Sequence, residues 1–297
     1  MQTDNAGMTT RELSVVSDDG LLLSGEESGE AGAPAIVLLH GLTATRRYVV
    51  MGSRLLERSG YRTIAYDARG HGRSGPAVVT GGGRAAGEAA YGYERLARDL
   101  EEVLDALAIP RAALAGASMG AHTALRFALS HPERVAALGL VTPAFDPGAS
   151  EVPPEGDRDV LAQALREGGV PGFVGAYDFS AVPPAWRETV ERVVAQRLSQ
   201  HAHPEAVADA MEGVSRSRPF ENFAELATIA VPTVVVASRD EVDPGHPLAL
   251  AERYARAIPG AELRVEDGGP PLRSPIAWQG GQLSKLLVEL LGRASWD

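Results

Sequence analysis

Residues 112–120 read AALAGASMG, an apolar run of strand length that ends in a serine among small residues and continues into MGAHTALRFALS (119–130), a helical pattern. Glycines at 116 and 120 leave room for a bend sharp enough to hold a serine hydroxyl clear of the chain. G-x-S-x-G between a strand and a helix is the arrangement that exposes a nucleophile. Ser118 is therefore the first candidate catalytic residue. A hydroxyl near neutral pH attacks poorly without a base, so the reading turns on what could activate it.

Outward from this stretch, short apolar runs alternate with helical patterns. AIVLLH (35–40), RTIAYD (62–67), AALAGA (112–117) and VAALGLVT (135–142) read as strands buried on both faces of a parallel sheet. Helical patterns lie between them, around 49–58, at 93–107 and at 119–130. ELSVVS and LLLSGE, separated by Asp-Asp-Gly, open the chain as a hairpin. VPTVVVAS (231–238), LALAERYARAI, AELRVE (261–266) and a helix near 282–291 close it. The alternation predicts an α/β fold with a doubly wound, mostly parallel sheet, its core formed by residues 9–144 and 230–297. Residues 145–229 have Pro-rich joints and amphipathic helical pieces without a strand pattern, which predicts an inserted helical cap or lid. Within it, Phe173, Val174, Phe179 and Trp186 suit cap packing or a pocket wall. Residues 1–8 carry no pattern and read as a disordered tail, and VVTGGGRAAGEAA (78–90) reads as a mobile loop.

Bulk properties narrow the chemistry. The 297 residues carry 39 acidic and 28 basic side chains, a formal charge of −11, which argues against nucleic-acid and anionic-lipid partners. There is no cysteine, so disulfides and thiolate chemistry are excluded. The polar N-terminal stretch lacks an apolar core of signal-peptide length, and no run is long enough to span a bilayer. The expectation is a cytoplasmic protein, acting on a small molecule and without membrane association. Oligomeric state is not legible.

Ligands of such sheets bind beyond the carboxyl ends of the strands, where Ser118 falls. HGLTATRR (40–47) ends the run AIVLLH, and the turn after His40-Gly41 would aim the Leu42 N–H at the same spot as the N–H of Met119. Two such donors make an oxyanion hole. The glycine-rich stretch YDARGHGRSG (66–75) reads as structural, its arginines and His71 included.

HGL, DARGHGRS, GASMG and ASRDEVDP, in this order and spacing, resemble the α/β-hydrolase superfamily over nearly the whole chain from Glu12 onward. The resemblance implies a Ser, acid, His triad in that chain order, with a helical cap after the sixth strand of the fold. It matches Ser118 to the nucleophile, Leu42 and Met119 to the oxyanion donors, and Asp240 to the acid, with Asp243 the nearest substitute. It needs no metal or organic cofactor. The serine at the bend separates the chain from the dehalogenase and epoxide-hydrolase branches, which place an aspartate there. The family's histidine after the last strand is missing: VEDGGPPLRSPIAW (265–278) contains none, and none follows His246.

A replacement base must reach the serine oxygen and be held there by a second group. His246 leads because it shares the stretch DEVDPGHP with Asp240 and Asp243; capping the helix that follows is its structural alternative. His122, one helical turn beyond Ser118, is the alternate, with helix packing the competing explanation. His201 and His203 could descend from the cap, whereas His40, His71 and His131 suit turns and a helix end. The expected function is hydrolysis of a small carboxylic ester, lactone or thioester through a Ser118 acyl-enzyme. Two alternatives stay open: a degenerate ligand-binding protein of the same fold, and a cofactor-free lyase using the same pocket.

Overall fold

The computed structural model describes residues 2–3, 9–79, 84–149, 157–240, 243, 245–266 and 281–296. Its centre is a twisted sheet built from β1 (Gln2–Thr3), β2 (Thr9–Val16), β3 (Leu22–Ser28), β4 (Ala35–Leu39), β5 (Arg62–Tyr66), β6 (Ala112–Ala117), β7 (Val135–Val141), β8 (Thr233–Ala237) and β9 (Glu262–Val265). Among the described residues the strands lie in the order β1-β2-β3-β5-β4-β6-β7-β8-β9. β1, β2 and β3 pair antiparallel, as do β3 and β5; every pairing from β5 through β4 to β9 is parallel. The runs in β4, β7 and β8, apolar except for Thr233, are buried along their whole length because helices cover both faces.

One face packs against α3 (Tyr93–Ala106), α4 (Met119–Ser130) and α8 (Leu248–Ala257), which contribute Leu100, Val103, Leu125, Phe127 and Tyr254 to the larger core. The other packs against α1 (Leu55–Arg58) and α9 (Gln282–Leu291) through Leu56, Leu283, Leu287 and Leu290. The chain winds from β4 out to β5 and then back across β4 to β6. The carboxyl ends of β4 and β6 are thereby neighbours, the point at which open sheets place their ligands.

Between β7 and β8 lie α5 (Asp157–Ala176), α6 (Arg187–Leu198) and α7 (Pro204–Arg216). α5 is kinked at Gly169 (φ 59°), two residues before Pro171. These helices bury Leu165, Phe173, Phe179, Val194, Leu198 and Met211 in a cluster of their own, against which Val174 and Leu42 pack. Arg166 bridges α5 to Asp209 and Glu212 of α7. His201 ties the α6–α7 turn to the sheet: its Nδ1 accepts from Gly72 N–H at 2.8 Å, and its Nε2 lies 3.1 Å from the Thr43 carbonyl.

Two sequence expectations need correction. Residues 84–90, expected in a mobile loop, belong to α2 (Arg84–Tyr91). It rests so closely on α7 that a Cβ on Gly213 would lie 2.5 Å from the Gly87 carbonyl oxygen. The glycine run before it masked an Ala-rich helical stretch. Gln2 and Thr3, expected in a disordered tail, pair with Thr10 and Thr9 at the sheet edge; residues 1 and 4–8 lie outside the described residues. No helix among the described residues is long and apolar enough to cross a membrane.

Candidate active site

Ser118 sits between β6 and α4 with φ 49° and ψ −110°, a conformation that costs a non-glycine residue about 1–3 kcal/mol. Its surroundings hold it there. Ser118 N–H donates to the Val141 carbonyl at 2.9 Å, and the Ser118 carbonyl accepts from His122 N–H at 3.1 Å. A Cβ on Gly116 would fall 2.2 Å from the Gly120 backbone, and one on Gly120 would fall 2.1 Å from the Leu39 carbonyl oxygen. Both positions therefore require glycine.

His246 Nε2 lies 2.9 Å from Ser118 Oγ, and His246 Nδ1 lies 2.8 Å from Asp243 Oδ1. A carboxylate can only accept, so Nδ1 carries the ring proton and Nε2 is left as the acceptor for the serine hydroxyl. Both partners of the serine thus come from the single loop between β8 and α8. Two backbone hydrogen bonds shape this loop: Asp243 N–H to the Arg239 carbonyl at 3.0 Å, and His246 N–H to the Asp243 carbonyl at 3.1 Å.

Asp240, the acid expected from the resemblance, does not meet the histidine. Its Oδ1 accepts from the Leu248 N–H at 2.7 Å and so satisfies a free donor in the first turn of α8. The capping duty weighed for His246 falls to Asp240, and the orienting position falls to Asp243. The stretch where the family carries its histidine, including Gly268, Gly269 and Pro270, lies outside the described residues.

The alternate base His122 is committed elsewhere. Its Nε2 accepts from Ala144 N–H and Phe145 N–H, each at 3.1 Å, and its Nδ1 lies 3.1 Å from the Tyr93 hydroxyl. Burial pushes its pKa down to about 3, with the nearby His246 adding to the effect. His201 is likewise occupied by backbone groups, and His203 is half-buried beside Glu205. His40 braces the turn under the site, its Nε2 accepting from Ala68 N–H at 2.9 Å. His71 packs against His40, with Nδ1 2.9 Å from the Arg69 carbonyl. Arg69 is buried and pairs through two nitrogens with Asp99. The glycine-rich stretch is thus bracing.

The loop after β4 runs beside the bend: a Cβ on Gly41 would lie 3.3 Å from the Ala117 carbonyl oxygen and 3.6 Å from Ser118 Cβ. Leu42 N–H and Met119 N–H, on the two sides of this contact, have no hydrogen-bond acceptor among the described residues. Ser118 itself is partly exposed, so a substrate can reach its hydroxyl.

One further side chain near the relay was not legible beforehand. Arg197, on the face of α6 beside the buried Val194 and Leu198, has a buried Nε without a hydrogen-bond partner. Among the described residues its guanidinium forms no ion pair. Burial holds its pKa below the ordinary arginine value, only partly offset by Tyr177, Tyr48 and Asp243. In the sequence it is one arginine among several on an amphipathic helix.

A cavity of about 1200 Å³ lies elsewhere, lined by residues such as Thr10, Glu26, Arg46, Arg54 and Glu57; neither Ser118 nor His246 borders it.

Comparison with known proteins agrees with this architecture. A sequence model described as the alpha/beta hydrolase fold matches residues 34–178. The chain is 31% identical to the "Putative carbamate hydrolase RutD" of Variovorax paradoxus, over 91% of this chain and 96% of that one. It is 30% identical to the 2-hydroxy-6-oxononadienedioate/2-hydroxy-6-oxononatrienedioate hydrolase of Burkholderia vietnamiensis, over 86% and 87% of the two chains. Among solved structures, Est816, described as an N-acyl homoserine lactone degrading enzyme, superposes with a TM-score of 0.67 at 26% identity, covering 94% of this chain and 99% of that one. By sequence and by fold, this chain belongs to the α/β-hydrolase superfamily and is a hydrolase of that fold.

Proposed function

We propose that the protein is a serine hydrolase that cleaves a small carboxylic ester, lactone or thioester. The observation that carries this reading is the unbroken contact from Ser118 Oγ to His246 Nε2 and from His246 Nδ1 to Asp243. In the reaction, the Ser118 proton passes to His246 Nε2 as the serine oxygen attacks the substrate carbonyl. The carbonyl oxygen takes the negative charge between the N–H groups of Leu42 and Met119, where each donor is worth roughly a hundredfold or more in rate. Asp243 holds the ring in the required tautomer and stabilises the imidazolium. Collapse expels the alcohol or thiol, which takes the proton from His246 and leaves an ester on Ser118. A water molecule, deprotonated by the same nitrogen, then releases the acid and restores the serine.

The relatives lend support of a general kind, since their names include a carbamate hydrolase and a lactone-degrading enzyme. A fluorophosphonate probe tests the reading. Wild-type protein should be labelled and Ser118→Ala should not, while His246→Ala should lose labelling and turnover of p-nitrophenyl acetate together. An inert serine in a folded protein that still binds small molecules would instead mark a ligand-binding member of the fold.

A further inference from the structure

Three buried histidines stack beside the loop after β4, His40 against His71 with ring centroids 5.1 Å apart and His71 against His201 at 5.5 Å. All six of their ring nitrogens meet backbone groups. Three of these contacts fall on successive peptide units. The unit joining Gly41 to Leu42, whose N–H is one of the two free donors beside Ser118, has its carbonyl 2.8 Å from His40 Nδ1. The unit joining Leu42 to Thr43 donates its N–H to His71 Nε2 at 3.4 Å. The unit joining Thr43 to Ala44 has its carbonyl 3.1 Å from His201 Nε2. Gly72 N–H donates to His201 Nδ1 at 2.8 Å, so the ring proton sits on Nε2 and is given to Thr43.

His40 and His71 belong to the core, whereas His201 comes from the turn between α6 and α7. Between the second and third units Thr43 stands at φ 62°, a left-handed conformation that a β-branched residue adopts only under constraint. Seating of the turn does not require that conformation, because Gly72 N–H to His201 Nδ1 and Ala202 N–H to the Gly72 carbonyl, both at 2.8 Å, join it to another loop. The bond from His201 Nε2 falls on the strained residue itself, one position past the donor. A planar peptide fixes its N–H opposite its carbonyl, so a loop free to turn at Thr43 would swing the Leu42 N–H away from Ser118.

We propose that His201 is a positioning residue for the oxyanion hole: by holding the Thr43 carbonyl from the cap, it keeps Thr43 left-handed and the Leu42 N–H aimed at the carbonyl under attack. The hole is thereby completed by the insertion as well as by the core. This rests on the serine-hydrolase reading for the duty of Leu42, whereas the restraint on Thr43 is independent of turnover.

Two replacements separate seating from aiming. An asparagine amide takes the place of Nδ1 and accepts from Gly72 without reaching Thr43; a glutamine amide takes the place of Nε2 and donates to Thr43. With p-nitrophenyl acetate, His201→Asn should lower kcat about 10- to 100-fold, less than the loss of a whole oxyanion donor, and keep KM within about 3-fold. His201→Gln should recover most of the rate. Butylboronic acid, whose adduct with Ser118 places an oxygen in the hole, should lose affinity for His201→Asn by a similar factor and for His201→Gln by far less. Equal losses of kcat in the two variants, or a loss confined to KM, overturn the proposal. Should His201→Asn not fold, the glutamine variant decides: a rate near wild type supports the donor role, and a loss as large as that expected of His201→Asn overturns it. Should wild type turn over no ester, the hydrolase reading fails, and amide hydrogen exchange still decides the restraint. Faster exchange at Thr43 and Ala44 in His201→Asn than in wild type and His201→Gln upholds it, and equal exchange refutes it.

Discussion

Asp243 and His246, three residues apart on one loop, share a 2.8 Å hydrogen bond, while Asp240 on the same loop is spent on the first turn of α8. Two acids separated by three residues thus have different duties. Asp243→Asn should lower kcat by about 10³- to 10⁴-fold, because an amide no longer holds the tautomer that leaves Nε2 free. Asp240→Asn should keep kcat within a few-fold and cost at most about 1 kcal/mol, the usual worth of a capping contact. Steady-state kinetics and urea unfolding of the two variants separate these roles; loss of kcat in Asp240→Asn with Asp243→Asn unaffected would reverse the assignment.

Burial lowers the pKa of several histidines in the fold, that of His122 to about 3 and that of His201 to about 4. Their folded-state values lie below the ordinary 6.5, so the unfolded chain takes up protons first as the pH falls. Stability from these groups is fully present above about pH 6.5 and is lost downward through the window to about pH 4 for His201 and about pH 3 for His122. Each contributes a slope of up to about 1.4 kcal/mol per pH unit. Urea midpoints measured from pH 7.5 to 4.5 should hold down to about pH 6.5 and fall below it, and His201→Gln should flatten the falling part of the curve. A midpoint independent of pH across this range would show that these rings are not held neutral.

Arg69 and Asp99 form a buried pair linking the stretch after β5 to α3. Asp99→Leu alone should cost about 3–5 kcal/mol, because the buried guanidinium keeps only Asp19 and the Ala90 carbonyl at one of its nitrogens, whereas Arg69→Met combined with Asp99→Leu should recover much of the loss. The double-mutant cycle, read by chemical denaturation, checks this. Equal instability of the single and double variants would contradict it.

Glycine substitutions should sort by the space around each site. Gly120→Ala puts a methyl group 2.1 Å from the Leu39 carbonyl oxygen and should destroy both the bend at Ser118 and soluble expression. Gly175→Ala, with nothing near its Cβ inside α5, should stabilise the protein by about 0.5–1 kcal/mol. Thermal melts and expression yields provide the comparison.

Much of this was legible in advance because it follows from local pattern. The runs AIVLLH, AALAGA and VAALGLVT read as strands in a covered sheet, and the glycines on either side of Ser118 announce the bend. The placement of Asp240 and Asp243 was not legible, because it depends on how one loop folds back on α8, and three residues of offset move a side chain from a helix end to a histidine. The helix at 84–91 was hidden for a different reason: it is held by close backbone contact with Gly213, which no local pattern reveals. Arg197 was hidden as well, since a missing partner is a property of tertiary packing alone.

With the proposed base His246 and its partner Asp243 three residues apart, their mutual distance is set by a short piece of backbone, independent of how separate segments dock. The pair behaves as a cartridge. Any displacement of the loop between β8 and α8 would withdraw both groups from Ser118 in one motion, so the serine would be either fully armed or fully idle, with no half-assembled state in between.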